Sequence, residues 1–347
     1  MNILDIFGDA AFSATSLTKA INVVPNDYGR LRELGLFNEE TIPTTSVAVQ
    51  YENGTLNLLP TRERGAPSSL AMPEKRNARV FNCFHIPHDD FVRADDVQNI
   101  IARVGEAGAL EAVADVVARK ERTMRRKHSI TLEHMRWGAL RGNILDSDGS
   151  SLLNLFTVFG VTQKSIDFVL GTTGTDVGAK IDELSGYLED NLLGETMDYV
   201  HVFASPEWFA KLVGHATVKD AFKYYDALNA ANNPIREDVR RRFVHKGVVF
   251  EEHRGTAQYL QEDGTYATRR FVPSGEAIAV PMGTTDTFST YFAPADFIDT
   301  VNTMGEQIYV RQAIDPEFQR WVKLHSQSNP LPIVKRPALL VKLTSSN

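Results

Sequence analysis

One stretch, from Gly105 to Gly142, sets the terms for the whole chain: GEAGALEAVADVVARKERTMRRKHSITLEHMRWGALRG. At helical spacing Leu110, Val113, Val117, Met124, His128, Leu132, Met135 and Ala139 share one stripe. Glu111, Asp115, Arg119, Arg122, Arg126, Ser129, Glu133 and Arg136 share another, which predicts a two-faced helix with a polar outer side. Unbroken, it would be on the order of 50 Å long at ~1.5 Å per residue, far beyond the ~11–12 residues of an ordinary helix. Gly142 is a natural stop, and Ser129-Ile130-Thr131, two β-branched residues behind a capping serine, is where it could split. Such a helix serves as a girder, in its plainest form simply spanning one large domain. Its basic run, Arg119, Arg122, Arg125, Arg126 and Lys127, is either a solvated face or a surface beside a polyanion.

A girder needs a body. The 347 residues suffice for two domains or one large one, and 43% apolar with 23% charged residues is ordinary globular composition. The net charge of −7 argues against a dedicated nucleic-acid binder, because neutralising phosphates takes a basic surplus. A single cysteine, Cys83, excludes an intrachain disulfide and every cysteine-cluster metal site, and fits a reducing cytosol. No apolar run reaches the ~18–20 residues of a membrane span, and the opening MNILDIFGDA lacks the pattern of a secretion signal, so a soluble cytoplasmic protein is expected. No GxSxG, HExxH or GxGxxG spacing occurs, and no catalytic residue, cofactor or metal site is predicted. His85, His88, Asp89 and Asp90 can be drawn as a metal cluster, but acids after Pro87 read as a turn leading into a helix at Asp95 or Asp96. GTTGTDVGAK, residues 171–180, lacks Walker spacing and reads as a loop before a helix.

The flanks supply more. Asp9 can cap a short helix carrying Phe12, Leu17, Ala20 and Ile21, ended by Pro25. Leu31, Leu34, Leu36 and Phe37 then need a surface to cover, which an arm reaching across a neighbouring copy would find. TSVAVQYENGTLNLLP alternates on both sides of Asn53-Gly54, the strongest short hairpin signature, because a type I′ turn needs positive φ at both central residues. Register then puts Val49, Tyr51, Leu56 and Leu58 on one apolar face. That face rests on its own domain or on something else, since an isolated hairpin is marginal in water. A strand is expected at Arg79 to Ile86, and strand, turn and strand around Asp146 to Gly149, where no glutamate completes a calcium loop. Farther on, the pattern predicts a helix at Asp176–Leu193, a strand at Tyr199–Ala204, and a helix after Ser205-Pro206 bearing Trp208, Phe209 and Leu212. It also predicts one strand at Phe243–Glu251, a hairpin turning at Glu262-Asp263-Gly264, and two strands in the tail, the last at Ala338–Leu343.

A short arm, a projecting Asn-Gly hairpin, Arg64-Gly65, FHIPHDDFVRADDVQNI, a long basic helix ending RWGALRGNILDSDGS, and LLNLFTVFG stand in one order. In this the chain resembles the major capsid proteins of tailed bacteriophages, specifically the family of phage lambda's major head protein, over nearly its whole length. The resemblance implies an α+β, Hong Kong 97-like phage capsid fold. Residues 1–40 would be the N-terminal arm, 41–80 the extended loop, 81–157 the peripheral domain with its spine helix, completed by about 301–347, and 158–300 the axial domain. It implies a major capsid protein that self-assembles, through hexamers and pentamers, into an icosahedral head shell enclosing double-stranded DNA. The hairpin residues Val49, Tyr51, Asn53, Gly54, Leu56 and Leu58 would meet a neighbouring subunit, and Arg119, Arg122, Arg125, Arg126 and Lys127 would face either the lumen and its DNA or acids on neighbours. Some relatives weld subunits through an extended-loop lysine, but residues 41–74 contain none and Lys75 stands at the base, so noncovalent contacts or a separate decoration protein are expected. With about 40 residues before the hairpin, scaffolding is expected as a separate chain, alongside a portal; assembly would take place in the host cytoplasm. The alternatives are an encapsulin-type cellular compartment, a metal-dependent enzyme using His85, His88 and Asp89, and a minor head or tail protein.

Overall fold

The structure, a computed structural model, describes residues 7, 9–23, 29–51, 77–98, 109–232, 241–261 and 263–346. Its contacts divide the chain into two compact units, one of residues 1–48, 80–133 and 289–332, the other of 49–79, 134–288 and 333–347. The first half of the chain carries α1 (Ala14–Val23), α2 (Arg30–Glu33), β1 (Asn38–Thr41), β2 (Ser46–Tyr51), β3 (Asn77–Asn82), β4 (Ile86–Arg93) and α3 (Ala109–Leu140). Then come β5 (Asn143–Leu145), β6 (Ser151–Asn154), α4 (Leu155–Phe159), β7 (Ser165–Asp167), α5 (Val177–Asn191), β8 (Tyr199–Ala204), α6 (Pro206–Gly214) and α7 (Ala216–Asn232). The remainder is largely β: β9 (Arg242–His245), β10 (Val248–Glu252), β11 (Thr256–Leu260), β12 (Tyr266–Arg270), β13 (Glu276–Met282), β14 (Phe288–Phe292), β15 (Tyr309–Ile314), β16 (Trp321–Ser328), β17 (Pro330–Val334) and β18 (Val341–Thr344).

The girder exists as one 32-residue helix, α3, running through Ser129-Ile130-Thr131 without a break. Thr131 turns its hydroxyl back to the Lys127 carbonyl at 2.8 Å, so the β-branched run is accommodated inside the helix. The expected polar stripe holds for Asp115, Arg119, Arg122 and Arg126, all exposed, and fails beyond them: Ser129, Glu133 and Arg136 are buried. Glu133 shows why. Its Oε1 accepts the Leu31 backbone N–H at 3.0 Å, serving the open end of α2 in place of a local cap. Gly29, at φ +126, passes so close that a Cβ there would stand 2.8 Å from the Glu133 carboxylate.

In the first unit β15, β16 and β4 form an antiparallel sheet, and β1 joins β14 and β17 in a second one, parallel to β14. The described part of the arm packs on this body. Asp9 accepts from Ala11 N at 2.9 Å and starts a short 3-10 turn before α1, as its sequence suggests. Leu17 and Ile21 then join Phe12, Val113, Val117, Met124, Val310 and Leu324 in one core. Thr18 hydrogen-bonds both the N–H (3.0 Å) and the carbonyl (3.3 Å) of Val310, standing in for the missing neighbour strand at the β15 edge. Leu31, Leu36 and Phe37, for which an arm across a neighbouring copy was expected to supply the cover, are buried within their own chain as well. Pro87, expected to end a strand, lies within β4 opposite Gln327, and the acids beyond it are strand residues too. An edge strand tolerates the absent N–H. The helix after it begins at Ala94, Asp96 accepting from Arg93 N at 3.0 Å in the manner of a capping box. β2 pairs with β3 among the described residues, and the Asn53-Gly54 turn lies outside them.

The second unit is built on a six-stranded sheet of order β7-β18-β13-β8-β10-β9. Asp176 caps α5 at Ala179 N (3.1 Å) and Ser205 caps α6 at Trp208 N (3.3 Å), with Pro206 at its first turn. Ile181, Leu184, Leu188, Trp208, Phe209 and Leu212 are buried together, as their spacing predicts. Trp137, at the end of α3, stacks on Phe271 at 5.8 Å and meets Phe203 edge-on at 5.0 Å. Two readings change here. Phe243–Glu251 is the hairpin β9–β10, turning at Lys246 (φ 48) and Gly247 (φ 76); lysine is not a usual left-handed residue, so the turn carries no sequence signature. The tail forms three strands, and β18, starting only at Val341 after a 3-10 turn, sits between β7 and β13 in this sheet instead of completing the first unit.

If α1 is part of the first unit's core, Ile21→Ala should destabilise that unit by about 2–5 kcal/mol through the cavity it leaves. Denaturant unfolding checks this; an unchanged midpoint would place the arm elsewhere.

Candidate assembly surfaces

Helix α3 turns one continuous face outward. Asp115, Ala118, Arg119, Arg122, Thr123, Arg126 and Lys127 are exposed at successive three- and four-residue steps, so four cations and one acid line it. Arg125, grouped with them in the sequence reading, points the other way. It is only 4% exposed and donates from Nη2 to Gln307 Oε1 at 2.8 Å, while Gln307 Nε2 donates to Glu39 at 2.5 Å. Burial and the like charge of Arg32 pull its pKa below the ordinary arginine value, with Glu39 opposing. The basic cluster is thus Arg119, Arg122, Arg126 and Lys127, and Arg125 is a buried link between α3, Gln307 and β1.

Beneath this face α3 meets β4 and β16 through a polar chain that the sequence reading missed. Ser326 Oγ donates to the His88 carbonyl at 3.0 Å, which commits its one proton, so at 2.8 Å it must accept from His128 Nε2. His128 Nδ1 is then a buried lone pair without a partner. The His88 Nε2 accepts from Lys127 Nζ at 3.1 Å, which likewise requires a neutral ring. Burial first, then the charges of His88, Arg125, His325 and Lys127, push the His128 pKa down to about 3. Asp89 bonds Lys323 at 2.6 Å and also His325; burial opposes its ionisation, but these hydrogen bonds outweigh it and hold the carboxyl below its usual range. Asp90 pairs with Lys120 at 3.2 Å, and His85 meets Asn329 at 2.8 Å. The four residues that could be drawn as a metal cluster are therefore spent on separate partners, and no group of three His, Cys, Asp or Glu side chains among the described residues could hold a metal.

Glu121 is a further charged side chain taken inside the helix contact. It is 4% exposed, its Oε1 has no hydrogen-bond partner, and burial raises its pKa to about 7. Of the expected hairpin contact, Val49 is 3% exposed and already covered within its own chain. Tyr51 lies in β2, and Asn53, Gly54, Leu56 and Leu58 fall outside the described residues. One exposed apolar group had no place in the sequence reading: Ile298, Val301 and Met304, on the loop between β14 and β15, are 97%, 64% and 57% exposed. Their three-residue spacing among Asp, Thr, Asn and Gly was the available signal, and taken alone it is too short to separate from an ordinary loop. No helix among the described residues is long and apolar enough to cross a membrane.

An α+β unit bearing an arm, an extended two-strand segment, a long helix and a second unit on a mixed sheet together make up the Hong Kong 97-like fold of phage capsid subunits. The chain belongs to the phage major capsid protein E family, whose description matches residues 13–345. It is 30% identical to the major capsid protein of Pseudomonas phage KPP10 over 95% of this chain and 96% of that one, and 25% identical to the major capsid protein of Salmonella phage Felix O1 over 95% of each. Among solved structures, a prophage protein of Escherichia coli assigned to capsids superposes with a TM-score of 0.53 at 10% identity, covering 96% of this chain and 99% of that one. A phage-related protein of Bordetella bronchiseptica gives 0.53 at 12% identity, covering 94% and 95%. These two show the shared fold alone.

Two buried groups of α3, His128 and Glu121, have opposite pH signatures. An unfolded histidine binds its proton near pH 6.5, His128 in the fold only near 3, so its contribution to stability is lost as pH falls below 6.5. Glu121 is the reverse: it binds its proton near 7 folded and near 4.5 unfolded, so stability is lost as pH rises from 4.5 through 7. Between pH 4.5 and 6.5 the two slopes cancel. Relative to wild type, His128→Gln should make stability fall with rising pH in that window, and Glu121→Gln should make it rise, each by about 1.4 kcal/mol per pH unit. Denaturant midpoints across the window test this; parallel curves for both variants would refute it.

Proposed function

We propose that the chain is the major subunit of a phage head, assembling with copies of itself, through hexamers and pentamers, into a closed icosahedral shell around double-stranded DNA. The observation that carries this is end-to-end similarity to the major capsid protein of Pseudomonas phage KPP10. The family is a structural one, and His85, His88, Asp89 and Asp90, the residues an enzyme reading would use, are each engaged with a separate partner. An encapsulin-type compartment is not favoured by these relatives. On this reading the virion is where the protein resides, the host cytoplasm is where it assembles, and a scaffolding protein, a portal and a decoration protein are its separate partners.

Two surfaces follow from the reading. Tyr51, Asn53, Gly54, Leu56 and Leu58 form the intersubunit contact, Val49 being removed from the set by its burial at home. Arg119, Arg122, Arg126 and Lys127 meet packaged DNA nonspecifically, an attraction that salt would weaken. Each contact in a shell is modest, and many of them per subunit supply its stability. Tyr51→Asp should give a folded, soluble subunit that forms no shells by electron microscopy, and wild-type particles should run on denaturing gels as a single-chain band without a covalent ladder. Normal shells from the variant would remove the proposed contact.

A further inference from the structure

The loop from Ala295 to Gly305 is rigid and greasy at once. Thr300 Oγ1 donates to the Ala295 carbonyl at 2.7 Å and Thr303 Oγ1 to the Thr300 carbonyl at 2.7 Å. Tyr309 Oη accepts from Glu306 N at 2.9 Å and donates to the Met304 carbonyl at 3.3 Å, while Gly305 N donates to the Ile42 carbonyl at 3.0 Å. Phe297 is clamped under Arg311, at 4.1 Å from ring centre to guanidinium carbon. On this braced frame Ile298, Val301 and Met304 point into solvent. Val23, 80% exposed at the end of α1, stands at the same end of β15, because its neighbour Asn22 donates to Glu306 at 3.0 Å and to the Ile308 carbonyl at 2.9 Å. A loop held by so many hydrogen bonds loses little entropy on docking, and aliphatic groups held out on it cost free energy until something covers them.

We infer that this end of the first unit is a self-association surface centred on Ile298, and that its occupant is the same end of other copies of this chain. The inference rests on the shell reading above. Charge narrows the choice of occupant. Asp296, Asp299 and Glu306 surround the patch, and its cation, Arg311, is bonded to Asp299, so a polyanion or an anionic lipid surface finds repulsion there. Area narrows it further: the four side chains expose roughly 400–500 Å², about half the ~800 Å² per partner of a stable pairwise complex. Such a contact does not hold two molecules together in dilute solution. It holds where each copy is kept in place by other contacts as well, which is the situation of identical subunits around a symmetry axis. The acidic rim makes the association stronger, not weaker, as salt rises.

Ile298→Asp and Val301→Asp in the full chain should leave circular dichroism and the thermal midpoint unchanged, because these side chains contribute almost nothing to their own fold. The protein concentration at which particles appear by light scattering and electron microscopy should rise at least tenfold, and added salt should lower it for wild type. Ile298→Cys particles treated with a short bismaleimide should give a two-copy band, which wild-type particles carrying only Cys83 should not. Particles formed by Ile298→Asp at wild-type concentrations, or Ile298→Cys particles that do not cross-link, overturn this inference and leave the shell reading standing. A wild-type chain that stays monomeric under every condition overturns both.

Discussion

A helix about 48 Å long, at ~1.5 Å per residue, cannot bury its own apolar side and depends on other elements to cover it. Up to Glu133 the helix serves the first unit, where Val113, Val117 and Met124 are covered by α1 and by Val310 and Leu324 of the sheet. From His134 it serves the second, where Trp137 stacks against Phe271 and Phe203. The face left over, between Asp115 and Lys127, is the only part of the described helix that behaves as an isolated amphipathic sequence would.

Burying so much of one helix brings polar groups inside with it, and each is handled differently. Glu133 becomes the cap of another element, Arg125 becomes a link to Gln307, and His128 becomes a neutral donor to Ser326. Glu121 has no such outlet and keeps its proton near neutrality instead. His128 and Glu121 resist charging in opposite senses, so burying both gives the helix contact two opposed pH dependences.

A subunit built this way keeps its arm helix for itself, which alters what assembly has to accomplish. The stability of the first unit does not wait for a neighbour to cover Leu17 and Ile21. What stays exposed among the described residues of that unit includes the apolar end around Ile298, Val301 and Met304. Small, separate patches of that kind allow a misplaced subunit to leave, while many acting together hold a finished shell.

Much of the architecture could be read from the residues alone. Period 3.6 from Leu110 to Ala139, a short apolar run at Tyr199–Ala204, Asp176 and Ser205 as caps, and Asp146–Gly149 as a turn are local statements, and local sterics and hydrogen bonding enforce them wherever the segment sits. The order of motifs likewise carried the family. The Lys246-Gly247 turn, Pro87 inside β4 and β18 in the second sheet were not legible, because each is permitted by a neighbour distant in the chain: an antiparallel partner, a free sheet edge, a gap between β7 and β13. The candidate surfaces divide the same way. That α3 would be basic on one side is written in its sequence; that Arg125 would leave that side, that the arm would stay at home, and that Ile298 would be held out in solvent was decided only by tertiary packing, since burial belongs to the surroundings of a side chain and not to its spacing.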